Sequence, residues 1–265
     1  CWIRKKGLEL IREHKHDVMT VHDYPPFYNG AGAMYLGKKT GIRYALEVHH
    51  IVGHPKAASM IEWVGRVMSR FYFPFAGRSA TVVRCVSAGT AEVLKRWGVR
   101  AEKISVVPSF YLDPEVLGRN ASETSGQVQK KYDVVCCGRC VTNKGMKEVL
   151  WAVSRLQNVT LLIIGDGPKR GAWEAMTHRL NMADRITFAG WLPEKEDVYR
   201  ALQSAKIFVM NSRSEGGPRI ALEAMALGLP VVSTRVGVMP DVIEEGVNGI
   251  FSSGDPTDLS EKLSV

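Results

Sequence analysis

The strongest constraint on this chain is a grammar of short apolar runs, each trailed by a loop and a helix-length segment. In the second half the runs are DVVCCGR from Asp133, TLLIIGD from Thr160, RITFAG from Arg185, KIFVMNS from Lys206, LPVVSTR from Leu229 and GIFSS from Gly249. Runs this short and rich in β-branched residues suit strands buried on both faces, the pattern of parallel strands joined by crossover helices. The first half repeats the grammar with DVMTVHD from Asp17, RYALEVHH from Arg43, TVVRCVS from Thr81 and KISVVPS from Lys103. Between the halves, the stretch over 108–132 is polar, carries Pro, Gly and Ser, and lacks sustained periodicity. The expected fold class is therefore α/β, with Rossmann-like doubly wound parallel-sheet domains over 1–109 and 132–265 and a linker over 110–131.

Composition sets outer bounds. With 265 residues and 45% hydrophobic content, the chain can bury two ordinary cores. No apolar run approaches the length of a membrane span, and the first residues do not form a secretory signal, so a soluble, cytoplasmic protein is expected. The chain holds 5 cysteines, an odd number with three in DVVCCGRC, which is not how a disulfide framework is laid out. Charge is uneven: residues 1–112 carry 17 Lys+Arg against 8 Asp+Glu, and the remainder carries 18 against 19. The basic excess suggests that the first part faces something anionic, with scattered solvated lysines as the plainer alternative. WIRKKGLELIREHKH, after Cys1, reads as an amphipathic helix with His14 and His16 in solvent.

Ligands of open α/β sheets bind outside the carboxyl ends of the strands, so the loops after these runs are where chemistry is sought. In GRCVTNKGM, which follows a strand, Gly138 lets the backbone approach a ligand, and Arg139 and Lys144 stand beside a helix N-terminus, a favourable place for a diphosphate. Cys137 and Cys140 form a Cys-x-x-Cys, but no second ligand pair lies close in sequence and the motif does not open the helix. With Cys136 they are read as small buried hydrophobes, and no metal site is expected. Within IALEAMALGLPVV, Glu223 is the only charge, and a carboxylate in so apolar a helix needs a partner, either an arginine or the diol of a ligand. Glu215 precedes that helix, and the amides of Gly216 and Gly217 would face an anion.

SEGGPRIALEAMALGLPVVSTRVGVMPDVIEEGVNGIF resembles the Glu-x7-Glu region of family 4 retaining glycosyltransferases, whose fold is the two-Rossmann-domain GT-B arrangement. GRCVTNKG resembles the phosphate loop of that family, and LLIIGDGPKR, FAGWLPEKEDVYRAL and VVPSFYLD fall in its order. The resemblance covers nearly all of residues 80–265 and implies a nucleotide-sugar donor. It implies that Arg139 and Lys144 hold the diphosphate, that Glu223 accepts the ribose hydroxyls, and that Glu215, with Gly216 and Gly217 nearby, contacts the donor sugar. His49, in ALEVHHIVGHP, matches the family's active-site histidine; spacing alone does not choose between it, His50 and His54.

The pattern also departs from that family. The first βα units and a final crossing helix are not found, so the N-terminal domain is expected to be incomplete and the chain a fragment. No Asp-x-Asp occurs, so neither a bridging metal nor another cofactor is expected. The expected partners are a nucleotide-sugar donor and a glycan or lipid-linked acceptor, and the charge alone does not argue for nucleic acid. The apolar stripe of MIEWVGRVMSRFYFPFAG is read as core-facing, with peripheral docking on an anionic membrane as its alternative. Rival readings are a sugar-nucleotide epimerase or glycan phosphorylase, and a nucleotide-sugar-binding module without catalysis.

Overall fold

A computed structural model describes residues 2–108, 112, 114, 117–118 and 129–264. The chain divides into two compact units, Cys1–Ser109 with Ser214–Gly217 and Phe110–Arg213 with Pro218–Val265. Most of 110–131, the stretch expected to be a linker, lies outside the described residues.

Unit 1 contains α1 (Trp2–His14), β1 (Val18–His22), α2 (Tyr28–Thr40), β2 (Arg43–Val48), α3 (Met60–Ser79), β3 (Val82–Cys85), α4 (Ala88–Arg96) and β4 (Ile104–Val106). Its four strands pair in parallel in the order β1-β2-β3-β4. Leu46, Val48, Val83 and Cys85 of the central strands pack with Phe73 and Ala76 of α3 and with Leu94 of α4. Side-chain caps start two of the helices: Ser59 Oγ accepts the Glu62 amide at 3.2 Å, and Ser87 Oγ accepts the Thr90 amide at 3.1 Å. The Ser59 cap sets the start of α3 at Met60.

The structure also turns α3 the opposite way from the core-facing expectation. Its buried residues are Gly65, Ser69, Phe73, Ala76 and Gly77, mostly small, so the helix seats closely on its neighbours. The larger Met60, Ile61, Trp63, Val64, Val67, Met68, Phe71 and Phe75 are left exposed.

Unit 2 contains β5 (Tyr132–Cys137), α5 (Met146–Ser154), β6 (Leu161–Ile164), α6 (Arg170–Arg179), β7 (Ile186–Gly190), α7 (Lys195–Gln203), β8 (Ala205–Met210), α8 (Arg219–Ala226), β9 (Val231–Ser233), α9 (Met239–Val242), β10 (Gly249–Phe251) and α10 (Pro256–Leu263). All six strands are parallel, in the order β10-β9-β8-β5-β6-β7. Alternate residues of β5 face two cores, as strand geometry requires. Val134 and Cys136 join Leu150, Ile163 and Trp173 on one side, whereas Val135 joins Tyr199, Leu202 and Phe208 on the other. Two-sided burial is why these strands read as unbroken apolar runs.

From β5 the chain steps outward through β6 and β7, then returns to pair β8 against the other side of β5. The crevice between the loops that follow β5 and β8 is thus the topological switch point, where doubly wound sheets receive their ligands.

Candidate functional site: the switch-point crevice and the histidine corner

The loop after β5 runs from Gly138 through a 3-10 turn, Thr142–Lys144, into α5. The Lys144 side chain folds over Gly138, where an added Cβ would lie 3.6 Å from the Lys144 amine nitrogen. Arg139 is exposed. No side chain caps α5 or α8, so the first-turn amides of both helices remain suited to an anion. Pro218 sits at the N-cap of α8.

The two loops are locked together. Gly145 has φ +64°, and a Cβ there would lie 2.0 Å from the Asn211 carbonyl oxygen. Asn211 in turn donates its side-chain amide to the Gly145 carbonyl at 3.2 Å. The Arg213 backbone amide donates to the Asn143 carbonyl at 2.8 Å, and its guanidinium pairs with Glu148 of α5 at 2.6 Å. These contacts fix the Arg139–Lys144 loop relative to α8.

Beside the loop opens a cavity of about 460 Å³. Its apolar walls include Ile164, Leu192, Val198 and Ile220, and its polar lining includes Arg139, Asp166, Lys195, Arg219 and Glu223. An apolar cleft with a few convergent polar groups is the usual form of a small-molecule site. Glu223 lies on α8 with its side chain only 7% exposed. Its Oε1 accepts a 3.0 Å hydrogen bond from the Tyr199 hydroxyl and lies 3.7 Å from the Lys195 amine. Within the protein, the partners of this buried carboxylate are therefore a phenol and a lysine of α7 rather than the arginine that the sequence offers. Glu223 lines the cavity, so a ligand held there would meet its carboxylate.

The three cysteines of the β5 segment are packing residues. Cys136 and Cys140 belong to one core, and Cys137 packs against the other. Burial pushes the Cys137 thiol up to about 12, against the opposing pull of the Lys144 ammonium. Burial likewise raises Cys136 and Cys140. Thiols held protonated are poor nucleophiles and poor metal ligands. Among the described residues no group of three or more His, Cys, Asp or Glu is arranged to hold a metal ion.

Unit 1 carries its own cluster at the carboxyl ends of β1 and β2. His49 Nε2 and Glu47 Oε2 are 2.8 Å apart, and the Arg84 guanidinium reaches the same oxygen at 2.9 Å. The His22 ring stacks on that of His49 with centroids 4.2 Å apart. Burial alone would raise the Glu47 carboxyl, but the His49 hydrogen bond and Arg84 outweigh it and hold it below its usual range. Burial lowers His22, helped by the neighbouring His49 and His50; burial also lowers His50, with Glu215 opposing. His54 is lowered by burial and by Arg66 and Arg96.

The Ser214–Gly217 segment belongs to this unit. A Cβ on Gly216 would lie 2.0 Å from the His49 carbonyl oxygen, so the backbone passes His49 more closely than any side chain allows. The sequence-predicted residues thus fall into two sets. Gly138, Arg139, Lys144 and Glu223 gather at the crevice of unit 2, while His49, Glu215, Gly216 and Gly217 lie in unit 1. Sequence reasoning missed Trp191, Lys195, Tyr199 and Arg219. Lys195 and Tyr199 are one helical turn apart on α7, a spacing that marks them as a pair but does not show that they reach a carboxylate on another helix.

Against known proteins, residues 131–265 match the family described as Glycosyl transferases group 1, and residues 6–109 match the Glycosyl transferase 4-like domain. The lipopolysaccharide core biosynthesis glycosyltransferase LpsE of Rhizobium meliloti (strain 1021) is 29% identical over 209 residues, covering 78% of this chain. The chain spans only 59% of that relative's length. Among solved structures, sucrose-phosphate synthase from Thermosynechococcus elongatus superposes with a TM-score of 0.81 at 19% identity, over 98% of this chain and 66% of the other. Anabaena Alr3699/HepE, solved in complex with UDP, gives a TM-score of 0.73 at 19% identity, over 98% of this chain and 71% of the other. At such identities the structural likeness establishes the fold.

Proposed function

This chain belongs to the group 1, family 4 glycosyltransferases, and on that premise we propose that it moves a sugar from a nucleoside diphosphate, UDP- or GDP-linked, to a hydroxyl of a glycan or lipid-linked acceptor, with retention at the anomeric carbon. The observation that carries this reading is the buried Glu223 carboxylate in an apolar-walled cavity at the switch point, beside the loop that bears Arg139 and Lys144. The apolar walls suit a planar base. Glu223 accepts the two ribose hydroxyls, which adds hydrogen bonds to a carboxylate that burial otherwise penalises. Arg139, Lys144 and the uncapped start of α5 hold the diphosphate and neutralise the charge that grows on it as the glycosidic bond breaks.

The family resemblance assigns Glu215 and the Gly216 and Gly217 amides to hydroxyls of the transferred sugar, and His49 to the sugar or the leaving phosphate. With these cations in place and no Asp-x-Asp in the sequence, transfer needs no divalent metal. The UDP named for the Anabaena structure supports a uridine donor, and the lipopolysaccharide core named for LpsE supports a glycolipid acceptor. Such an acceptor places the enzyme at the cytoplasmic face of a membrane, in peripheral contact with anionic lipid. The test is nucleotide release and product anomer, followed with a panel of donors after exhaustive chelation. Full activity with a retained anomer is expected; strict dependence on added magnesium or manganese, or an inverted product, contradicts the reading.

A further inference from the structure

Strand register places three polar residues in one row at the carboxyl edge of the unit 1 sheet. His22 of β1 lies opposite Glu47 of β2, and Glu47 lies opposite Arg84 of β3, so the three side chains project from the same face. His49 follows Glu47 by two residues, the spacing that brings a side chain back to that face. Much of the row is shielded from solvent: the Glu47 side chain is 17% exposed and that of Arg84 23%.

The contacts of the row converge on one oxygen. Arg84 Nη1 donates to Glu47 Oε2 at 2.9 Å, and His49 Nε2 stands 2.8 Å from the same atom. The other terminal nitrogen of Arg84 donates to the Pro108 carbonyl at 3.3 Å, so both arms of the guanidinium fork are engaged. Burial favours the neutral carboxyl, but the His49 hydrogen bond and Arg84 outweigh it and keep Glu47 ionised at neutral pH. An ionised carboxylate only accepts hydrogen bonds, so the His49 contact requires a proton on Nε2. In a neutral imidazole the other nitrogen, Nδ1, is then an acceptor. The His22 ring, its centroid 4.2 Å from that of His49, covers one face of the imidazole and resists its turning away from Glu47.

We propose that Glu47, anchored by Arg84, is the positioning residue of His49: it fixes the ring with the proton on Nε2 and leaves Nδ1 as the acceptor that a ligand meets. A hydroxyl donates to such a nitrogen, whereas an ionised phosphate oxygen has no proton to give and is repelled by its lone pair. Of the sugar and the leaving phosphate, the sugar hydroxyl is therefore the partner that this tautomer admits. The role in transfer rests on the proposed donor complex, while the tautomer rests on the geometry of unit 1 alone.

The tautomer is read from the ring-nitrogen NMR shifts of His49 in alkaline buffer, where imidazole is neutral, with His49→Ala to assign the signals. A pyrrole-like Nε2 and a pyridine-like Nδ1 are expected in the wild type, and the reverse pattern overturns the proposal without recourse to any Glu47 variant. Glu47→Ala is expected to populate both tautomers and to slow sugar transfer roughly 10- to 100-fold, the range seen when the outer partner of a metal-bound histidine is removed. Its unfolding midpoint rises with UDP or GDP as in the wild type, and Glu47→Gln, which keeps an acceptor oxygen, recovers part of the rate. Wild-type transfer in Glu47→Ala overturns the positioning role, as does slowed transfer with the ring still wholly protonated on Nε2. A nucleotide response that weakens in His49→Ala places the ring on the phosphate and overturns the hydroxyl assignment. Absence of transfer from every donor in the wild type removes the donor reading and the sugar contact together, whereas a proton on Nδ1 removes this inference alone.

Discussion

Replacing Tyr199 by phenylalanine removes one oxygen and leaves a fully buried ring in the core of unit 2. What is lost is the 3.0 Å hydrogen bond to Glu223 Oε1, together with the hydroxyl's side-chain hydrogen bond with Lys195. A hydrogen bond to a charged group contributes about 1.5–3 kcal/mol when its partner is left buried. The remaining neighbour, Lys195 at 3.7 Å, has a side chain that is 40% exposed, so solvent screens it and it replaces at most about 1 kcal/mol. The expected net cost is about 2 kcal/mol, or roughly 4–8 °C in the unfolding of a unit this size. Repeating the substitution in a Glu223→Gln background is decisive, because the phenol then donates to a neutral amide and its removal costs only about 1 kcal/mol. Thermal and urea unfolding of the four proteins gives the cycle. Equal costs in both backgrounds, or a cost below about 0.5 kcal/mol in the wild type, would refute the view that Tyr199 supports an ionised Glu223.

Gly145→Ala places a Cβ at φ +64° and 2.0 Å from the Asn211 carbonyl oxygen, so the loops after β5 and β8 must part. A loss of at least about 2 kcal/mol in unfolding, with nucleotide binding abolished, is expected, and a variant that binds like the wild type contradicts the locked-loop geometry. Acidification is expected to destabilise unit 1 near pH 6.5. His22, His50 and His54 are all held below 6.5 when folded, so the unfolded chain takes up protons that the fold refuses, and stability falls as pH drops below that value. Unfolding midpoints measured across that range should decline toward acid and flatten in His50→Gln; a midpoint that rises toward acid contradicts the assignment.

The strands were legible because each is a short β-branched run bounded by glycine, proline or a helix start, and the switch-point crevice followed from their order. Arg139, Lys144 and Glu223 were legible for the same reason: they stand at loop and helix positions that the alternation defines. Lys195 and Tyr199 were not, because they meet Glu223 across 24 or more residues, a tertiary contact that no local spacing records. The orientation of α3 was not legible either. Periodicity counts large apolar residues and assumes they turn inward, whereas here Gly65, Ser69, Ala76 and Gly77 make most of the buried face and leave the large residues outside. Small residues carry little hydropathy signal yet decide how closely a helix seats.

Whether the crevice of unit 2 is a nucleotide-sugar donor site is decided by thermal unfolding of the wild type and Lys144→Ala with UDP, GDP and ADP. A nucleotide at about 100 times its dissociation constant adds about 2.7 kcal/mol to the fold it binds. UDP or GDP is expected to raise the wild-type midpoint, and the rise is expected to disappear in Lys144→Ala. A midpoint unmoved by every nucleotide, or raised equally in the variant, contradicts it.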